Sequence, residues 1–190
     1  MTPMVTKDLI TACIRGERRA QYALYKVLHP LMLAICTRYE KDRQEAAALM
    51  NQGFLKVLDN LKNRPAHVPF EPWVRRITIN TVIDAYRRSK DRRMHENGLV
   101  AVEDVPLAET NEYLREMEAE AFNELLTRLP AMTRNVFNLF AIDGYAHAEI
   151  AQLLSISEGT SKWHVSHARQ LLREAIGREA RTRPLNTQLR

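Results

Sequence analysis

The chain has 190 residues, enough for one ordinary domain or two small ones, and 45% are hydrophobic, which excludes disorder by composition. Lys and Arg number 28 against 23 Asp and Glu, a modest surplus that suits a polyanionic partner without requiring one. The two cysteines, Cys13 and Cys36, form no CxxC pair, which argues against a disulfide framework or a cysteine-based zinc site and suits reduced thiols in the cytoplasm.

No apolar run approaches the ~20 residues needed to span a membrane. The start of the chain, "MTPMVTKDLITACIRGERRA", carries acids and lacks the long apolar stretch of a signal peptide. Glycine and proline are few, and Leu, Ala, Glu, Arg and Gln fill the long runs, so helix is favoured over sheet.

Residues 6 to 93 read as a helical block, with helices expected over 6–15, 17–38, 43–62 and 70–90. Within 45–61, Met50, Phe54, Val57, Leu58 and Leu61 make a 3.6-period apolar face, and Ala48, Gln52, Leu55, Lys56 and Asp59 lie opposite. Pro65, Pro69 and Pro72 mark a loop that runs into a helix start. Helix 72–88 is apolar nearly all round, and Trp73 reads as part of its core face. One polar stripe remains on that helix: Arg76, Asn80, Asp84 and Arg87. A single polar stripe on an otherwise buried helix is where a ligand can reach it, and an Asp84–Arg88 pair is the simple internal alternative.

"RRSKDRR", residues 87 to 93, holds five basic residues against one acid and suits either a solvated helix end or duplex phosphate. Residues 94 to 115 lack apolar periodicity and read as a linker. Residues 103 to 120 hold seven acids and one Arg, a charge that DNA would repel. Glu116, Glu118, Glu120 and Glu124 are also placed to favour the start of the next helix. A second helical block follows, divided at Leu129-Pro130 and by a turn at 155–157, and the tail from 183 is polar. The fold expected is therefore all-α: two small helical domains, 1–93 and 116–182, joined by a flexible linker.

"YAHAEIAQLLSISEGTSKWHVSHARQLL" looks like two short helices around a tight turn. On a helical wheel started at Glu158, Leu171, Ala175, Ala168, Ser161, Leu172, Val165 and Ile176 fall between about 220° and 360°, forming a buried stripe. Trp163 falls near 140°, roughly opposite. Lys162, Ser166, His167 and Arg173 flank it, and His164 lies nearer the buried edge. Lysine, indole, hydroxyl and imidazole groups on one outward face suit a DNA major groove. "SEGTSK" offers N–H groups and hydroxyls, Thr160 among them, at a helix start where a phosphate is welcome, and Ser157 can cap that helix. A metal site at His164 and His167 lacks an evident third ligand.

The stretch "LPAMTRNVFNLFAIDGYAHAEIAQLLSISEGTSKWHVSHARQLLREAI" resembles the promoter-reading region 4 of bacterial sigma factors, nearest the extracytoplasmic-function (ECF) group. LP, R-x-V-F, D-G-Y-x-x-x-E-I-A, S-x-G-T-x-K and A-R-x-x-L stand in the family's order and spacing. "LMNQGFLKVLDNL" and "FEPWVRRITINTVIDAYRR" resemble the polymerase-docking and −10 segments of sigma region 2.

The resemblance implies core RNA polymerase and promoter DNA as partners, an anti-sigma factor as a further one, and no membrane insertion. Thr160, Lys162, Trp163, Ser166, His167 and Arg169 would meet the −35 duplex. Arg76, Asn80, Asp84, Arg87 and Arg88 would meet unpaired −10 DNA, with Asn80 able to donate and accept at a base edge. Leu49, Asn51, Gln52, Leu55 and Asp59 would meet polymerase. Ala48 and Gln52 are neutral where the family is often acidic.

No catalytic residue, cofactor, metal or small-molecule substrate is expected, since no P-loop, GxSxG or HExxH motif occurs. Three alternatives compete: a helix-turn-helix regulator that works without polymerase, an enzyme using His147, His164 or His167, and a non-initiating module that sequesters polymerase or a regulator.

Overall fold

The structure, a computed structural model, describes residues 5–93 and 119–182. The acidic stretch 94–115, Glu116, Glu118 and the tail 183–190 lie outside the described residues, as do the side chains of Glu120 and residues 90–93. All regular structure among the described residues is helical, as expected. The chain divides into two compact units, Met1–Gly98 and Leu99–Arg190.

In the first unit α1 spans Lys7–Ile14, α2 Arg18–Tyr39, α3 Arg43–Asn60 and α4 Phe70–Arg93, with a 3-10 turn at Leu61–Asn63. Side-chain caps fix two of the starts. Thr6 accepts from the Leu9 N–H at 3.2 Å, and Asp42 accepts from those of Gln44 and Glu45 at 2.7 and 3.0 Å. α2 runs on through Pro30, which forgoes one backbone bond. The neighbouring turns are held by burial of Leu28 and Met32.

α2, α3 and α4 each pack on the other two, and α1 packs on α2. Gly53 lets α3 approach closely: a Cβ there would lie 3.2 Å from the Met32 methyl and 3.8 Å from the Thr78 backbone. Thr78 and Thr81 are buried, and their hydroxyls donate to the carbonyls of Val74 and Ile77 at 2.9 and 2.8 Å. Neither hydroxyl is left unsatisfied in the core. Cys13 and Cys36 are both buried, and burial pushes the Cys36 thiol up to about 12, so it stays protonated and inert.

In the second unit α5 spans Ala119–Arg128 and α6 Ala131–Phe137, followed by a π-helical turn at Asn138–Ile142. Then come α7, His147–Leu154, and α8, Glu158–Thr182. Leu125, Leu126 and Leu129 meet Phe137 and the α8 residues Ala168 and Leu172 in one cluster. Truncating a fully buried leucine such as Leu172 to alanine would cost about 2–5 kcal/mol.

The π turn closes with the Asp143 N–H donating to the Asn138 carbonyl at 2.9 Å, and Gly144 follows at φ 77°. α7 ends at Ser155, which holds a left-handed conformation, φ 53° and ψ 53°. A side chain in that region costs about 1–2 kcal/mol, and glycine avoids the cost. Ser155→Gly is therefore expected to raise the stability of the second unit by about 1 kcal/mol or somewhat less. Denaturant unfolding of the full chain, followed by the transition of that unit, measures it.

Candidate nucleic-acid interface

α8 is divided lengthwise. Ser161, Val165, Ala168 and Leu172 are buried, with Val165 only 3% exposed. Lys162 and Arg173 are exposed, and Trp163, His164, Ser166, His167 and Arg169 are partly buried. The start of α8 is capped as expected: Ser157 Oγ accepts from the Thr160 N–H at 2.9 Å and lies 2.8 Å from the Thr160 hydroxyl. Thr160 is thus engaged in its own cap.

The indole of Trp163 is less open than a wheel suggests. It stacks on the His167 ring, centroids 4.7 Å apart and planes at 19°, and meets His164 edge-on at 4.8 Å and 67°. The three rings form one aromatic surface beside Lys162. His164 Nδ1 lies 3.0 Å from the Thr133 hydroxyl of α6, so the innermost ring is tied to the core. Such a surface can cover a thymine methyl or a sugar, and the lysine can donate to a guanine edge or a phosphate.

A second histidine, missed as a structural element by the sequence, ties α7 to α8. His147 Nδ1 lies 2.9 Å from the hydroxyl of buried Ser161, and its ring stacks on Phe140 of the π turn at 4.3 Å and 14°. Its one sequence signal is Ser161 itself. A hydroxyl inside an apolar stripe needs a partner. Burial holds the His147 imidazole below its ordinary 6.5, the charges of Lys162 and Arg169 push the same way, and Glu158 opposes them.

In the first unit Arg76, Asp84, Arg87 and Arg88 are exposed along α4, with Asn80 partly buried between them. The polar stripe is therefore real. Asp84 also pairs across helices, with Lys56 of α3 at 3.4 Å. With both side chains about half exposed, the pair is worth roughly 0–1 kcal/mol and serves to register α3 on α4.

Trp73 is not in the core, contrary to expectation. It is partly buried beside Phe70, ring centroids 5.9 Å apart, because Val74 rather than Trp73 takes the inward position in the first turns of α4. Arg64 lies over the Phe70 ring at 5.9 Å and donates to the carbonyls of Pro65 and Val68, folding the preceding loop.

On α3, Ala48, Asn51, Gln52, Leu55 and Asp59 are exposed and Leu49 is partly buried. Leu55 is 59% exposed in the middle of that face, and Tyr22 on α2 is 63% exposed. Asn51 accepts a long hydrogen bond, 3.4 Å, from the Tyr25 hydroxyl. The structure thus groups the expected residues into three surfaces, one on each of α3, α4 and α8.

A helical unit whose last long helix follows a tight turn, caps itself and presents an aromatic and basic face defines a helix-turn-helix protein. Comparison with known proteins specifies it. Residues 24–93 match sigma-70 region 2, and residues 119–172 match sigma-70 region 4. The chain is 24% identical over 187 residues to the RNA polymerase sigma-H factor of Pseudomonas aeruginosa, covering 93% of this chain and 96% of that one. It is 25% identical over 171 residues to the ECF sigma factor SigM of Mycobacterium tuberculosis, covering 90% and 84%. Its fold is similar to that of the sigma factor RpoE of Bartonella quintana, solved with the anti-sigma factor NepR. That match has a TM-score of 0.51 and 19% identity, and covers 82% of this chain and 96% of that one. The chain belongs to the sigma-70 family of RNA polymerase sigma factors, in the ECF group, and is a factor for the initiation of transcription.

The lowered imidazole of His147 has a consequence for stability. Between its folded value and 6.5 the unfolded chain binds the extra proton, so stability rises with pH across that window. The contribution is complete above pH 6.5 and is lost as pH falls through the folded value. Unfolding of the second unit measured from pH 8 to 5 should show this loss, and His147→Gln should flatten it.

Proposed function

We propose that the chain binds core RNA polymerase through its first unit and reads a promoter at two places. α8 enters the major groove of the −35 duplex. Lys162, Trp163, Ser166, His167 and Arg169 face the bases and phosphates there, while Thr160 and Ser157 shape the helix start. The polar stripe of α4, with Arg76, Asn80, Arg87 and Arg88, meets the unpaired −10 strand, and Asn80 supplies the base-edge hydrogen bonds. Asp84 acts by holding α4 to α3 through Lys56.

Polymerase docks on the face of α3 that carries Leu49, Asn51, Gln52, Leu55 and Asp59. With Ala48 and Gln52 neutral, the exposed Leu55 is its apolar anchor, of the kind that dominates interfaces when buried. Each unit alone holds promoter DNA weakly. Carried on one polymerase, the two act at high effective concentration. Opening is driven by capture of unpaired bases, without nucleotide hydrolysis. The cytoplasm, where polymerase and chromosome meet, is the place of action, and an anti-sigma factor is a fitting regulator.

The observation that supports this most is the outward surface on α8, where Lys162 stands beside the stacked Trp163 and His167 with Val165 buried behind them. Run-off transcription with core polymerase on a genomic promoter library tests it. Transcripts from a discrete promoter set are expected, and polymerase unresponsive to the chain would contradict the proposal. On those promoters Trp163→Ala and His167→Ala should each weaken −35 base discrimination by roughly 1–3 kcal/mol. Leu55→Asp should weaken polymerase binding tenfold or more in a direct titration. Asn80→Ala should impair promoter opening, read by permanganate reactivity, more than it impairs duplex binding.

A further inference from the structure

His147 is held at two points in the second unit. Phe140 stacks on one face of its ring at 4.3 Å, and Ser161 Oγ lies 2.9 Å from its Nδ1. Ser161 is fully buried, so the imidazole is locked against the base of α8. In the neutral ring with its proton on Nε2, the Ser161 hydroxyl donates to Nδ1 and the Nε2–H remains for another acceptor. Lys162 follows Ser161 and is exposed. Arg169 lies seven residues on, about 20° from Lys162 around the helix.

Three groups able to carry positive charge therefore lie along one side of the recognition helix, with Lys162 and Arg169 near enough to act on the imidazole. Among the described residues, the charges that act on His147 from α8 are Lys162, Arg169 and, opposing them, Glu158. The π turn contributes the uncharged Phe140 ring. On its own helix, the carboxylate of Glu149 is engaged as acceptor of the Ala146 N–H at 2.9 Å. With the imidazole protonated such a cluster would repel itself, and an anion between the groups would relieve that repulsion.

We propose that His147, Lys162 and Arg169 form a seat for one DNA backbone phosphate beside the recognition helix, and that docking on the duplex takes up a proton at His147. The seat presupposes that α8 enters a duplex, as set out under Proposed function. In the free protein, burial and the two cations favour the neutral imidazole. A phosphate brings negative charge to the same place and favours the imidazolium. Nδ1–H then donates to Ser161, and Nε2–H donates to the phosphate.

The sign follows. Well above the bound-state pKa the ring is neutral in both states, and affinity is at its baseline. As pH falls through the bound value, affinity rises, and it levels off below the free value. Each unit of separation between the two values is about tenfold in affinity.

The test uses the full chain on core polymerase and duplex fragments recovered from the transcription screen, between pH 8 and 5.5. Wild type, His147→Gln and His147→Arg are compared, and polymerase's own pH response cancels in the ratios. The wild-type to His147→Gln affinity ratio should rise about threefold to tenfold on going to pH 5.5. The salt slope of wild type should steepen by about 0.9 over the same range, as for one more phosphate neutralised. His147→Arg keeps a charge and can stack on Phe140. It should bind at pH 8 as wild type does at pH 5.5, so the test survives if the glutamine variant folds poorly. A constant ratio, or an arginine variant with the wild-type pH response, overturns the seat while leaving promoter reading intact. Failure to direct transcription overturns both.

Discussion

Ser161, Val165, Ala168 and Leu172 lie three and four residues apart, so one side of α8 carries all four, and all four are buried. That burial is the constraint on which the second unit depends. It fixes the rotation of α8 about its axis, and Lys162 has nowhere to go but out. It also buries the serine hydroxyl where His147 meets it from α7, and through His147 the Phe140 of the π turn is brought in. On the other side His164 reaches Thr133 and so becomes the inner support of the Trp163 and His167 rings. The outward surface is thus pre-formed, and the entropy of ordering its aromatic rings is met in folding rather than in binding.

The first unit uses a related device with different chemistry. Gly53 removes a side chain where α3 meets α2 and α4, and Thr78 and Thr81 satisfy their own hydroxyls within α4. The close packing that results turns Leu55 to solvent on one helix and the Arg76–Asn80–Arg87 stripe to solvent on the next. Lys56 and Asp84 tie those two helices together at the surface. α3 and α4 are consequently packed directly on each other, so that a partner held on one is held in register with the other.

Much of this was legible in the residue spacing. The four long helices of the first block, the break at Pro130, the turn before α8, its serine cap and the buried stripe all follow from period, proline placement and capping chemistry. Those signals are local, and so is the physics behind them. What spacing did not reveal depends on contacts between elements. Trp73 reads as core on a wheel because a wheel assigns no inward direction to a helix whose apolar residues go nearly all round; packing on α2 and α3 chose Val74 instead. Asp84 meets Lys56, 28 residues away, a contact between elements that no spacing along one helix marks. The π turn at Asn138–Ile142 adds one residue to a helical turn, and no propensity marks it. Trp163, opposite the buried stripe on the wheel, is partly covered in the structure, where its flanking imidazoles fold against it, an arrangement that sequence order hints at and only side-chain geometry establishes.

α5 packs behind α8, on the stripe, so α5 lies on the side of α8 away from Lys162. Site-specific photo-crosslinking in a promoter complex with core polymerase tests that orientation most directly. A photoreactive side chain at position 162 should crosslink to the upstream duplex, and one at the exposed position 124 on α5 should not. Crosslinks to DNA from position 124, with none from 162, would contradict the account.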